Sequence, residues 1–71
     1  MIKPGIYQHN KGNKYKVIGI GKHSETLEEF VIYEALYNNP EGKLWIRPIK
    51  MFEESVIVNG VPEPRFKFIS E

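Results

Sequence analysis

The chain has 71 residues, ten basic and nine acidic side chains, a net charge of +1 and no cysteine. Its length predicts one small domain over residues 1–71, and the lack of thiols excludes disulfides and thiolate-bound zinc. No apolar run reaches the roughly 20 residues of a membrane-spanning helix, and the first ten residues lack a signal-peptide hydrophobic stretch. We therefore expect a cytoplasmic protein that does not bind membranes.

The basic residues are concentrated at the start of the chain. Residues 1–22 contain five lysines and no acid, whereas residues 23–71 contain five bases and nine glutamates. This asymmetry predicts a basic patch that would suit a nucleic acid, with Lys11, Lys14, Lys16 and Lys22 as its candidate residues. We favour the simpler interpretation, in which solvent-facing lysines keep a small sheet soluble.

Two strands are predicted first, at residues 5–9 and 14–22, because both segments are rich in strand-forming residues and a glycine-containing turn separates them. Gly19 and Gly21 lie within the second strand. Glycine inside a strand typically marks a bend or bulge, so we expect this hairpin to curl over on itself at that point.

A third strand is predicted at residues 29–37, which are rich in β-branched and aromatic side chains. The same segment has a helical alternative, since Thr26 followed by Glu29 fits a capping box. The crowded run from Phe30 to Tyr33 favours the strand, because a helix restricts the rotamers of such side chains.

The second half of the chain predicts a strand at 44–47, a helical turn near 48–54, and a hairpin of residues 55–58 and 61–69 around Asn59-Gly60. Pro62 and Pro64 cannot donate ladder hydrogen bonds and indicate an edge strand. The predicted fold is thus mostly β: a small curled antiparallel barrel, SH3-like, with five to six short strands.

Hairpin register predicts which residues face one another across the strands. We expect Lys22 to face Glu29, Ile20 to face Val31, and Glu34 to face Arg47. The same order brings the loop after the second strand, with the sequence HSETLE, to the end of the barrel that holds the segment RPIKMF.

Enzymatic and metal-binding roles are disfavoured by geometry. His23, Ser24 and Glu25 are consecutive, and neighbouring residues in an extended segment point in opposite directions, which opposes a catalytic triad. The only two histidines, His9 and His23, belong to opposite ends of the first hairpin, which opposes a metal site with Glu25. The sequence implies no cofactor.

Arg47 is the strongest single candidate for ligand binding, because its planar guanidinium suits a carboxylate or phosphate. The competing interpretation is a cross-strand ion pair with Glu34. Trp45, Tyr33 and Tyr37 are interpreted as core or half-buried aromatic residues rather than as a stacking platform.

The stretches YQHNKGNKYKV, HSET, VIYEALY, LWIRPIKMF and PRF, in this order and spacing, resemble the DUF1653 family of small bacterial proteins with one domain of unknown function. The resemblance implies a bacterial cytoplasmic protein with a compact β-rich fold and implies no activity. The residues that match motif positions of the family are His23, Ser24, Glu25, Thr26, Trp45, Arg47, Pro48, Met51 and Phe52.

We expect a binding module rather than an enzyme, since a domain this small has little room for a deep pocket. The candidate site recognises a protein, a peptide segment or a small anionic ligand through His23, Ser24, Glu25, Arg47, Met51 and Phe52. The first alternative is nucleic-acid binding through the N-terminal lysines. The second is a small hydrolase or isomerase that uses His23 with Glu25.

Overall fold

Residues 2–71, which the computed structural model describes, form seven β-strands and one short helix. The strands are β1 (Gly5–His9), β2 (Lys14–Lys22), β3 (Glu29–Ala35), β4 (Leu44–Pro48), β5 (Ser55–Val58), β6 (Val61–Pro64) and β7 (Phe66–Ser70). Helix α1 (Ile49–Phe52) follows β4 directly. No helix in this part of the chain is long and apolar enough to cross a membrane.

Most of the predicted elements are present at the expected positions. The strand at residues 29–37 is confirmed, although it ends at Ala35, and the helical alternative for this segment is wrong. The hairpin around Asn59-Gly60 is also confirmed: both residues have positive φ, 51° and 80°, as a type I′ turn requires. The segment predicted as one last strand is divided at Arg65 into β6 and β7, because β6 pairs with β5 whereas β7 pairs with β1.

Five strands form an antiparallel sheet in the order β4-β3-β2-β1-β7, and β5 and β6 form a separate two-stranded sheet. The mostly-β antiparallel class is therefore confirmed. The pairings close no barrel, because β4 and β7 end the large sheet and no ladder joins them. The two end strands still approach each other on one side, where the Arg47 guanidinium of β4 lies 5.4 Å from the ring centroid of Phe66 in β7.

A β-bulge in β2 provides the predicted irregularity near Gly19. Val17 pairs with Tyr33 and Gly19 pairs with Ile32, so Ile18 has no partner and is the extra residue. The predicted pairs Ile20–Val31 and Lys22–Glu29 are confirmed. Val17 and Ile20 thus lie on the same side of the sheet, which we call the core face; the opposite side is the outer face.

The core is built mainly from aromatic side chains on the core face. Phe52 from α1 is stacked in parallel on Phe66 from β7, with ring centroids 4.3 Å apart. Tyr7 and Tyr33 contact the Phe52 ring edge-on at 5.5 and 5.7 Å. The short helix therefore serves mainly to place one large apolar side chain between the two ends of the curled sheet, where its burial stabilises a small core.

Candidate functional site

The HSET turn, residues 23–28, uses its polar groups to stabilise its own backbone. The Nδ1 atom of His23 accepts hydrogen bonds from the amide nitrogens of Glu25 and Thr26, at 3.1 and 3.3 Å. The Thr26 hydroxyl accepts one from the Glu28 amide at 3.2 Å. Imidazole and hydroxyl acceptors therefore act here as the side-chain caps typical of turns.

The structure does not bring the six predicted site residues to one surface. The centroids of the His23 and Phe30 rings are 6.3 Å apart on the outer face. Arg47, in contrast, lies opposite Val31 in the strand register and is on the core face. Phe52 is only 2% exposed and belongs to the core, while its neighbour Met51 is 47% exposed. The six residues therefore do not share one face of the structure, and their joint role in ligand binding stays a prediction.

Four residues of that set are exposed in the described structure, namely His23, Ser24, Glu25 and Met51. Ser24 and Glu25 make no side-chain hydrogen bond to another residue among residues 2–71. Their role in ligand binding stays a prediction. Within the same residues, no group of three histidine, cysteine, aspartate or glutamate side chains is positioned to hold a metal ion.

The predicted pairing of Arg47 with Glu34 is wrong. Glu34 faces Leu44, and its carboxylate forms a 3.1 Å ion pair with the ammonium group of Lys43. The register differs from the prediction because β3 already ends at Ala35, whose amide donates to the Lys43 carbonyl, so the connecting loop is longer than expected. Arg47 is thereby separated from this carboxylate.

Arg47 instead lies among aromatic residues on the core face. Its Nε atom donates to the Tyr33 hydroxyl at 3.4 Å, and its guanidinium lies over the Phe66 ring. The centroid of the Tyr15 ring lies 5.4 Å from that of Tyr33 and 5.7 Å from that of Phe66. We call this group the Arg47 surface; its members are His9, Tyr15, Tyr33, Tyr37, Arg47 and Phe66.

Two tyrosine hydroxyls at the edge of the Arg47 surface are hydrogen-bonded to each other. The Tyr15 and Tyr37 hydroxyl oxygens are 2.8 Å apart, and the Asn39 side-chain amide donates to Tyr37 at 3.0 Å. Burial, followed by the hydrogen bond to Tyr37, raises the pKa of Tyr15 to about 12. The Tyr15 hydroxyl is therefore neutral at physiological pH.

His9 contributes a titratable group to the same surface. Its ring lies 4.9 Å from Phe66, and its Nδ1 atom accepts a hydrogen bond from the Lys11 amide at 3.1 Å. Burial lowers the pKa of His9 below 6.5, and the positive charges of Arg47, Arg65 and Lys11 lower it further. The local electrostatic environment is therefore positive.

His9, Tyr15 and Phe66 were not recognised as site candidates from the sequence. They come from β1, β2 and β7, and they meet because the sheet curls until β7 approaches β4. Alternation along each strand could have assigned Tyr15 and Tyr33 to one face, but the three-residue error in the β3–β4 register hid their relation to Arg47.

The N-terminal lysines do not share one surface. Lys14 and Lys16 alternate with the core-facing Tyr15 and Val17, so they lie on the outer face. Lys22 lies opposite Glu29 in the strand register beyond the bulge, so its side chain is on the core side of the sheet. Lys11 belongs to the turn between β1 and β2. The four lysines therefore share no common face. A nucleic-acid interface formed by all four stays a prediction.

Comparison with known proteins relates this architecture to one family. The family model described as "Protein of unknown function (DUF1653)" matches residues 5–68. The chain belongs to the DUF1653 family. It is similar to the crystal structure of a DUF1653 protein from Bordetella bronchiseptica, with 32% identity over 97% of this chain and 88% of that chain, and a TM-score of 0.91. A comparison with curated proteins finds no match. The whole Arg47 surface lies within the DUF1653 span.

Proposed function

We propose that this DUF1653 protein is a binding module whose Arg47 surface holds an anionic oxygen group, either a carboxylate or a phosphate. One observation carries the proposal: the half-buried Arg47 has no carboxylate partner among residues 2–71, and its two terminal nitrogens donate no hydrogen bond there. Buried charges are generally paired with an opposite charge, and Arg47 is already half-buried without one.

Two glutamates, one on the neighbouring strand β3 and one just after α1, are already paired with other basic residues. Glu34 is bound by Lys43, and Glu54 accepts a 2.9 Å hydrogen bond from Arg65. The bond from Nε to Tyr33 and the Phe66 ring hold the guanidinium in place. A guanidinium fixed in this way loses little freedom on binding, and its open nitrogens match the two oxygens of a carboxylate or the oxygens of a phosphate.

The electrostatic environment also favours an anion. The charges of Arg47, Arg65 and Lys11 all act on His9 and disfavour its protonated form. An anion bound at Arg47 would relieve this repulsion, so its binding should raise the pKa of His9. By linkage, the anion should bind more tightly as the pH falls through the pKa of His9.

The competing explanation is that Arg47 has a packing role, in which its aliphatic stem covers Phe66. The variant Arg47→Met separates the two, because methionine preserves most of this apolar contact and removes the charge. Lys43→Met is the matched control: it removes a positive charge from the residue that precedes β4, whose side chain is 74% exposed and whose ammonium group is already paired with Glu34.

The test is a titration of the ¹⁵N-labelled protein with sodium acetate and, separately, inorganic phosphate, at constant ionic strength. We expect saturable shifts at Arg47, Tyr33 and His9, a loss of affinity of about tenfold or more in Arg47→Met, and little change in Lys43→Met. Equal affinity of Arg47→Met and the wild type would overturn the proposal. Shifts confined to Lys11 and the rest of the turn between β1 and β2 would do the same.

A further inference from the structure

The outward edge of β4 has unpaired backbone groups. β4 ends the sheet and has β3 on one side alone. The Lys43 carbonyl accepts from the Ala35 amide at 2.8 Å, and antiparallel pairs alternate, so Trp45 and Arg47 direct their backbone groups toward β3. The amide and carbonyl groups of Leu44 and Ile46 therefore point away from the sheet, with no backbone partner among residues 2–71.

The side chains of β4 alternate between two chemically different faces. Leu44 and Ile46 lie on the outer face and are 65% and 63% exposed. Trp45 and Arg47 lie on the core face, where Arg47 has its open guanidinium nitrogens. A free edge with an apolar side and a cationic side is suited to a strand of matching alternation.

We propose that the anion held by Arg47 is a side-chain carboxylate of an extended peptide that adds to the free edge of β4 as an antiparallel strand. This inference rests on the anion-binding role proposed above. The peptide alternates apolar residues, which face Leu44 and Ile46, with acidic residues, one of which faces Arg47. It is bound by backbone hydrogen bonds, by apolar contacts on the outer face and by the carboxylate–guanidinium pair on the core face.

The geometry favours such a peptide over a second copy of this chain. In a two-fold antiparallel pairing of two β4 edges centred on Trp45, Lys43 of each copy would face Arg47 of the other. Like charges directly opposite each other destabilise a strand pair, whereas acidic residues at those positions would stabilise it. Pro48 has no amide hydrogen, so the ladder must end there and the recognised segment is short.

The test uses an acetylated and amidated peptide of four Val-Glu repeats, with its binding followed by fluorescence of Trp45, the only tryptophan in the chain. We expect saturable binding that weakens about tenfold or more in Arg47→Met, because an ion-paired hydrogen bond is lost. A peptide of four Val-Lys repeats has the same apolar face and should not bind. Equal binding of both peptides would overturn the proposal.

Backbone methylation provides a matched pair of peptides. The valines would occupy the hydrogen-bonded positions opposite Leu44 and Ile46, so methylating their amide nitrogens should abolish binding. Methylating the glutamate amides instead places the methyl groups on the far side of the added strand and should change affinity little. Equal effects of the two methylations would show that no strand is added.

The variant Ile46→Pro tests the same edge from the protein side. It removes a backbone N–H that points away from β3 but no hydrogen bond to β3, so the fold should persist while peptide binding is lost.

The combined results distinguish the two proposals. If acetate binds at Arg47 but the Val-Glu peptide does not, strand addition is wrong and anion binding stands; if neither binds, both are wrong. Self-association in analytical ultracentrifugation that Ile46→Pro abolishes would assign the edge to a second copy and overturn the peptide.

Discussion

The HSET turn and the Arg47 surface both contain polar residues that often serve in binding, but they use these groups differently. In the HSET turn, His23 and Thr26 direct their acceptor atoms at backbone amides of the same turn. In the Arg47 surface, the backbone is already held by the sheet, and the guanidinium makes a single hydrogen bond among residues 2–71, to the Tyr33 hydroxyl, and lies over the Phe66 ring. The second region therefore has hydrogen-bonding capacity left for a ligand.

This difference shows that residue type alone is a poor guide to a site in a chain of this size. A histidine beside a serine and a glutamate suggests chemistry, yet a turn requires acceptors of the same kind for its own stability. The informative quantity is the number of donors and acceptors that remain unused after folding at a partly buried position. By that criterion, Arg47 is the strongest candidate among the residues described.

The largest expected effect concerns Phe52, which is compared with Met51, its neighbour in the predicted ligand site. Phe52→Ala removes the ring stacked on Phe66 and should cost about 3–5 kcal/mol, enough to unfold much of a small domain. Met51→Ala changes an exposed side chain and should cost less than about 0.5 kcal/mol. Urea denaturation followed by circular dichroism gives both values, and equal values would contradict the buried position of Phe52.

The next effect measures how far the HSET turn depends on its own histidine. His23→Ala removes the acceptor for two backbone amides and should lower the free energy of unfolding by about 1 kcal/mol. Ser24→Ala is the control, since its hydroxyl makes no hydrogen bond in the described chain, and it should be nearly neutral. A larger loss in Ser24→Ala than in His23→Ala would reverse the assignment of roles within the turn.

A gain in stability is expected at Leu27, which has a φ of 63° and a 66% exposed side chain. Leu27→Gly relieves left-handed strain of about 1 kcal/mol. Part of this gain is offset by the greater freedom of glycine in the unfolded chain, which leaves a net stabilisation of about 0.5 kcal/mol. Asn59→Gly is the control, because asparagine tolerates a φ of 51° in its turn. Thermal unfolding should show a higher midpoint for the first variant and little change for the second.

The smallest effect is a pH dependence that belongs to the Arg47 surface. The folded-state pKa of His9 lies below 6.5, mainly because of burial, so the unfolded chain takes up this proton first as the pH falls. The stability of the wild type relative to His9→Asn should be constant above about pH 6.5 and should decrease as the pH falls through the pKa of folded His9. Denaturation curves of both proteins across this range give the difference, and a rise in relative stability toward acid pH would contradict the lowered pKa of His9.

The sequence predicted the fold better than it predicted which residues lie around Arg47. Strand positions follow from local alternation and turn residues, and β1 and β2 have the bounds that these signals indicate. The turn between β2 and β3 also gave the correct pairing of Ile20 with Val31. These features depend on residues close together in the chain, where intrinsic preferences act directly.

The site depended on contacts that local signals do not encode. The loop between β3 and β4 includes Leu36 and Tyr37, which have strand-forming side chains, so its length was underestimated and Arg47 was assigned to the wrong partner. The approach of Phe66 to Arg47 further requires the curvature of the whole sheet. Such long-range placement follows from packing rather than from sequence alternation.

The extra residue Ile18 has a consequence for comparing members of the DUF1653 family. Val17 and Ile20 are three positions apart and still lie on the same face, which a regular strand would not allow. A relative that lacks this residue should have the equivalent two side chains only two positions apart. A one-residue gap opposite Ile18 in a sequence alignment would thus indicate that the relative has a regular strand with the same core residues. An alignment without this gap would match inward-facing residues of one protein to outward-facing residues of the other along the rest of β2.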